Sequence, residues 1–205
     1  MSTIWEALHQ DGYLRRKVAV KLLSPKIGDD PKALARFKRE ATIAARLQGL
    51  GFPRVYDFGL HNGSPYIVME LLRGENLAER LKRVGALSIW EALALLRRLG
   101  LAVARAHKEG IVHRDVKAQN VFFATEGSFE SVKLLDFGIA KHAYPDAKLT
   151  QPGVIVGSPH WMSPQQAMGE DVDHLADVWS LGVLLYLCLT GRMPFEGGVG
   201  GVLRG

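Results

Sequence analysis

The chain has 205 residues, 47% hydrophobic and 23% charged, enough for a sizeable core in one domain or two small lobes, which excludes a fibrous or disordered protein. Its formal charge of +5 comes from Lys and Arg scattered along helical stretches (Arg36, Lys38, Arg39, Arg46), with no dense basic run, so a nucleic-acid partner is not expected. One cysteine, Cys188, excludes a disulfide framework; MSTIWEALHQ lacks the regions of a signal peptide, and the 14-residue apolar run VWSLGVLLYLCLTG is too short to span a bilayer. The chain itself is expected to be soluble and cytoplasmic, a membrane anchor belonging only to a longer parent.

In chain order, Lys17 to Leu23 (KVAVKLL) is a short β-type run with a lysine inside it. Asp30 before Pro31 is a helix start, a capping side chain followed by proline at the first helical position. Leu34, Phe37, Ala41, Ala44 and Leu47 then recur at steps of three and four as one apolar face, ended by Gly49, Gly51 and Pro53. Strands follow around Arg54 to Phe58 and Tyr66 to Met69, joined by the turn His61-Asn62-Gly63. Beyond Arg73-Gly74 the character turns helical. Asn76 with Glu79, and Ser88 with Glu91, have capping-box spacing, the second opening a long helix to about Lys108. Next come the loop HRDVKAQN (His113 to Asn120), the strands NVFFA and SVKLL, a non-periodic stretch from Asp136 to about Gln166, and a hydrophobic helix from about His174 to Leu189. A long stretch without periodicity in a compact domain points to function.

Three motifs stand in order: VAVK (Val18 to Lys21), HRDVKAQN, and DFG (Asp136 to Gly138). Alone, a lysine in a strand or an acidic turn says little. HRDVKAQN matches at five fixed positions, and the sequence then carries SPQ and a DVWSLG helix. On these motifs the chain resembles the protein-kinase family, closest to bacterial serine/threonine kinases, over most of its length.

That resemblance implies an α+β, two-lobed fold: residues 1–73 a small antiparallel-sheet lobe with one helix, residues 74–205 a mainly helical lobe. It implies phosphoryl transfer from ATP with Mg2+ to a Ser or Thr hydroxyl of a protein substrate. Lys21 would hold the α- and β-phosphates and Glu40 would pair with Lys21. Asp115 would take or orient the hydroxyl proton, Lys117 would sit beside the γ-phosphate, and Asn120 and Asp136 would ligate magnesium through hard oxygens. Ile4 and Ala19 would roof the adenine and Phe122 floor it. Met69 would stand at the inner gate of the hinge, with backbone groups of Glu70 and Leu72 on the base. Arg114 suggests a cationic pocket for a phosphorylated loop residue, with Thr150 the candidate, while Ser158 would align Asp115 and Lys117. His113 reads as a packed structural histidine, and Asp177 as a brace for the catalytic loop.

The sequence departs from the family pattern in three ways. The Gly-rich loop and first strand are absent, since aligning Ile4 with the loop's final valine puts Ser2 at its third glycine; the chain stops after GRMPFEGG, where the family continues; and Gln165 stands where the family has glutamate. A catalytic domain truncated at both ends is therefore expected. The leading reading is a serine/threonine protein kinase; the alternative is a weak or inactive kinase-like fragment acting as a binding module. Lys117, SPQ and the long segment before it favour protein over small-molecule substrates. Nothing in the sequence specifies an oligomeric state.

Overall fold

The computed structural model describes residues 3–11, 14–47, 49, 51–136 and 159–195. Phe137, Gly138, Thr150 and Ser158 lie outside the described residues.

Strands β1 (Thr3–Asp11) and β2 (Leu14–Leu22) form an antiparallel ribbon pairing Ile4 with Lys21 and Glu6 with Ala19. KVAVKLL is the C-terminal part of β2. The alternation of its residues did not announce β1: it is an edge strand with Ile4, Trp5 and Leu8 all exposed, so no buried face imposes a period of two. Strands β3 (Val55–His61) and β4 (Ser64–Glu70) complete a four-stranded sheet in the order β1-β2-β4-β3. The two-residue loop between them, Asn62-Gly63, has φ of 48° and 77°, the doubly positive turn that a tight hairpin requires.

A short helix α1 (Pro25–Asp29) precedes helix α2 (Pro31–Arg46). The Asp30 carboxylate accepts from the amides of Lys32 and Ala33 at 2.9 and 3.3 Å, and Pro31 gives up no hydrogen bond at this position. Ala33, Phe37 and Ala41 of α2 pack with Leu23, Ile27 and Ile67, so the helix lies on one face of the sheet.

The second sheet runs β5 (Gly74–Asn76), β6 (Val121–Glu126) and β7 (Phe129–Leu134), in that order. Both capping boxes form, Asn76–Glu79 opening α3 (Leu77–Val84) and Ser88–Glu91 opening α4 (Ile89–Lys108). Two departures follow. The stretch expected to be non-periodic up to Gln166 contains a 3-10 turn (Pro159–Trp161) and a short helix α5 (Pro164–Met168), whose cap is Ser163. Five residues between turns are too few for a period to show. The last described helix, α6 (Leu175–Thr190), matches the hydrophobic run.

The larger core joins Leu95, Leu99 and Val103 of α4, Val183, Leu184 and Cys188 of α6, and Val116, Val121 and Leu134 around the loop and hairpin. Val116 and Ala118 anchor HRDVKAQN in that core from within. Among the described residues, no helix is long and apolar enough to cross a membrane.

Gly74, where the second sheet begins, has φ 138°, and a Cβ there would lie 1.9 Å from the Phe123 carbonyl oxygen. We expect Gly74→Ala to cost about 2 kcal/mol or more in urea unfolding. Gly127→Ala, at φ 61° with nothing within 4 Å, should cost about 1 kcal/mol. Equal losses would show that backbone conformation alone sets the cost.

Candidate active site

The loop HRDVKAQN is shaped by one buried charge. Asp177, in the first turn of α6, is fully buried, and a carboxylate survives there only with its oxygens satisfied. Its Oδ1 accepts the Arg114 amide at 2.7 Å; its Oδ2 accepts the His113 amide at 2.8 Å and lies 2.7 Å from His107 Nε2. These bonds hold Arg114 at φ 58°. His113 is buried beneath them: its Nδ1 accepts the Asp115 amide at 3.3 Å and its Nε2 donates to the Leu135 carbonyl at 3.0 Å. Burial pushes the His113 pKa down, so the ring is a neutral spacer with both nitrogens used.

Past this brace, Asp115 turns toward two partners. Lys117 Nζ lies 3.0 Å from Asp115 Oδ2, and Asn120 Nδ2 donates to the Asp115 carbonyl at 2.8 Å and to Oδ2 at 3.1 Å. Asp115, Lys117 and Asn120 thus form one cluster.

The hairpin β6–β7 brings the fourth residue. Asn120 immediately precedes β6, Asp136 stands two residues beyond β7, and the Leu135 amide donates to the Asn120 carbonyl at 2.7 Å. The open end of the hairpin therefore sets Asn120 and Asp136 side by side. Asp136 sits at φ 54°, its side chain partly exposed.

Lys21 reaches this cluster from the other sheet, its ammonium paired with Asp136. The expected Lys21–Glu40 pair is not formed. Glu40, on α2, is half-buried, and desolvation pushes its pKa up to about 7 against the opposing pull of Arg114, Arg39 and Arg36. The Lys21 ammonium lies on Asp136 instead, because the relative placement of α2, β2 and the end of β7 decides which acid it meets.

The register of the first sheet gathers the expected adenine residues. Ala19 pairs with Met69 and Ile4 with Lys21, so Ile4, Ala19, Lys21 and Met69 share the sheet face that α2 covers. Ala19 is buried, Met69, Leu72 and Phe122 are half-buried, and Ile4 is exposed. The Glu70 amide donates to the Arg54 carbonyl at 2.8 Å, so that amide is already used.

Sequence reasoning missed Lys133. From β7 its Nζ reaches Glu70 Oε2 at 3.2 Å and the Phe52 carbonyl at 3.4 Å, tying the second sheet to the end of β4. The signal was present: in SVKLL, Lys133 lies on the strand face opposite Val132 and Leu134, yet is buried. Arg114 is exposed, its Nη2 donating to the Val172 carbonyl at 3.0 Å and its own carbonyl accepting from Gln166 Nε2 at 3.3 Å.

A small sheet lobe and a helical lobe thus meet around Lys21, Asp115, Asn120 and Asp136. The family description that matches is the protein kinase domain, over residues 2–201. The chain is 43% identical over 202 residues to the serine/threonine-protein kinase PknA of Mycobacterium tuberculosis, covering 96% of this chain and 46% of that protein. It is 41% identical to the serine/threonine-protein kinase pkn2 of Myxococcus xanthus, over 90% of this chain and 22% of that one. Among solved structures it is similar to the M. tuberculosis PknI kinase domain, with a TM-score of 0.72 at 28% identity, covering 92% of this chain and 70% of that one. Rad53 1-466 in complex with AMP-PNP gives a TM-score of 0.78 at 25% identity, over 99% and 50% of the two chains. The chain belongs to the protein kinase family, among the bacterial serine/threonine kinases, and spans less than half the length of these two sequence relatives.

The Glu40 pKa carries a testable sign. It is raised in the folded chain, so Glu40 favours folding fully below pH 4.5 and loses that contribution as pH rises through about 7. Glu40→Gln should therefore raise the unfolding free energy relative to the parent at pH 8, by up to about 3 kcal/mol, and change it little at pH 5. An equal shift at both pH values would mean that the carboxyl does not titrate in this range.

Proposed function

We propose that this chain carries the catalytic cleft of an ATP-dependent serine/threonine protein kinase, transferring the γ-phosphate to a protein hydroxyl. The observation that supports it most is the convergence of Lys117 and Asn120 on the Asp115 carboxylate, with Asp136 beside them. Asp115 orients the acceptor hydroxyl and takes its proton as the oxygen attacks. Lys117, 3.0 Å from Asp115, contributes positive charge beside the transferring group. Lys21 contacts the α- and β-phosphates, and Glu40 becomes its partner once Asp136 releases it.

The donor set fits magnesium. Asn120 keeps its Nδ2 on Asp115, so its Oδ1 is the atom left for a cation, and Asp136 offers a partly exposed carboxylate next to it. Bound there, magnesium supplies charge neutralisation to the phosphate oxygens. Ile4, Ala19, Met69 and Phe122 enclose the adenine, with backbone groups of Glu70 and Leu72 on its edge. Exposed Arg114 receives a phosphate on Thr150, and Ser158 aligns Asp115 with Lys117. The cleft works in the cytoplasm, and the lobes divide near Arg73-Gly74.

Asp115→Asn should lower phosphate transfer by about 10²-fold or more while leaving nucleotide affinity nearly unchanged, measured by transfer to a generic protein acceptor and by a magnesium-dependent nucleotide thermal shift. Persistent transfer with lost nucleotide binding would overturn the assignment of Asp115. Nucleotide binding by the parent chain without any transfer would assign a binding module instead.

A further inference from the structure

Helix α4 buries one face and leaves the opposite one open along its whole length. Ala92, Leu95, Leu99, Ala102, Val103 and Ala106 form the buried face. Trp90, Ala94, Arg97, Leu101, Ala104 and Lys108 recur on the other side at alternating steps of four and three, and all six are exposed. Trp90 is 78% exposed and Leu101 65%, so the two stand out as apolar prongs. Eleven residues of helix set them about 16 Å apart along the axis. Leu93, also exposed, widens the apolar part of the stripe.

The charge on this face has one sign. From Ala92 to Lys108 the sequence holds Arg97, Arg98, Arg105 and Lys108 and no acid. Arg97, Arg105 and Lys108 form no ion pair among the described residues. Arg98 lies toward Glu130, whose carboxyl is held below its ordinary pKa by Arg80 first and by Arg98 in smaller part. Glu91 and Glu109 stand at the two ends of the helix, the first turned back on Ser88 in the capping box. A row of like charges repels a second copy of the same face. Arg97 and Lys108 on its centre line also disfavour a helical partner, whose seam would bury them. The face fits a surface that is dense in negative charge and yields around two apolar prongs. An interface of anionic lipid has both properties, since Trp and Leu enter the headgroup region while Arg and Lys stems extend to the phosphates.

We infer that the outward face of α4 docks on the surface of an anionic lipid bilayer. The helix lies in the plane of the membrane, with Trp90 and Leu101 inserted and Arg97, Arg105 and Lys108 on lipid phosphates. This is attachment to a surface and needs no spanning segment. It goes beyond the kinase reading and does not depend on it.

The test is cosedimentation of the 205-residue chain with vesicles of phosphatidylcholine alone and of an equal mixture with phosphatidylglycerol. The mixed vesicles should bind it about tenfold more tightly or better at low salt, and added salt should weaken that binding. Arg97→Gln combined with Lys108→Gln should lower affinity for the mixed vesicles about 25-fold, roughly fivefold for each cation removed. Lipids brominated along their acyl chains should quench tryptophan emission, and Trp90→Phe should remove most of that quenching, which separates this face from the exposed Trp5 of β1. The three substituted side chains are exposed, so the variants keep the parent's fold, as circular dichroism would check. Equal affinity for the two kinds of vesicle, or variants that bind as the parent does, would overturn the proposal. Charge-dependent binding without acyl-chain quenching, matched by soluble polyglutamate, would assign the face to an acidic protein and overturn it as well. None of these readouts involves phosphate transfer, so the kinase reading is tested separately.

Discussion

The site depends first on the carboxylate of Asp177. It is buried at the start of α6, a helix set firmly in the main core, and it must find donors there. It finds them in two consecutive backbone amides, those of His113 and Arg114. Two amides can point at one carboxylate only if the chain turns sharply, and Arg114 pays with a positive φ of 58°. The turn is what aims Asp115 out of the core. The Asp115 carboxylate is therefore indexed, through the buried Asp177, to the main core.

From that fixed point the remaining geometry follows from a hairpin. Strands β6 and β7 leave and return to the same edge, so residues at their open ends are neighbours whatever lies between them. Asn120 and Asp136 occupy those ends. The same hairpin carries Lys133, whose contact with Glu70 links it to the first sheet, and the first sheet carries Lys21. Two sheets that share no strand are thus joined by two ion pairs, Lys133–Glu70 beneath the hinge and Lys21–Asp136 across the cleft.

What the sequence made legible was whatever local chemistry decides. Asp30 with Pro31, Asn76 with Glu79 and Ser88 with Glu91 announce helix starts because a cap is a contact within a few residues, and each forms as read. The Asn62-Gly63 turn is legible for the same reason. Strand β1 was not, since an edge strand with exposed apolar residues shows no burial period, and α5 was too short to show one. Within the site, Asp115, Lys117, Asn120 and Asp136 come together as their motifs implied. The Lys21–Glu40 pair does not form, because which acid a lysine chooses depends on the relative position of elements far apart in sequence. No local pattern encodes that choice.

That choice has an energetic reading. The Asp136 side chain is 43% exposed and that of Lys21 is 11% exposed, so the pair joins a partly solvated carboxylate to a buried ammonium. Glu40, by contrast, carries the cost of a carboxyl whose charged form is disfavoured by burial. Under the function proposed above, a nucleotide with its magnesium would bring anionic oxygens to Lys21 and a cation to Asp136, offering each partner of the pair an alternative. An ammonium moved toward Glu40 would relieve that carboxyl of part of its burial penalty.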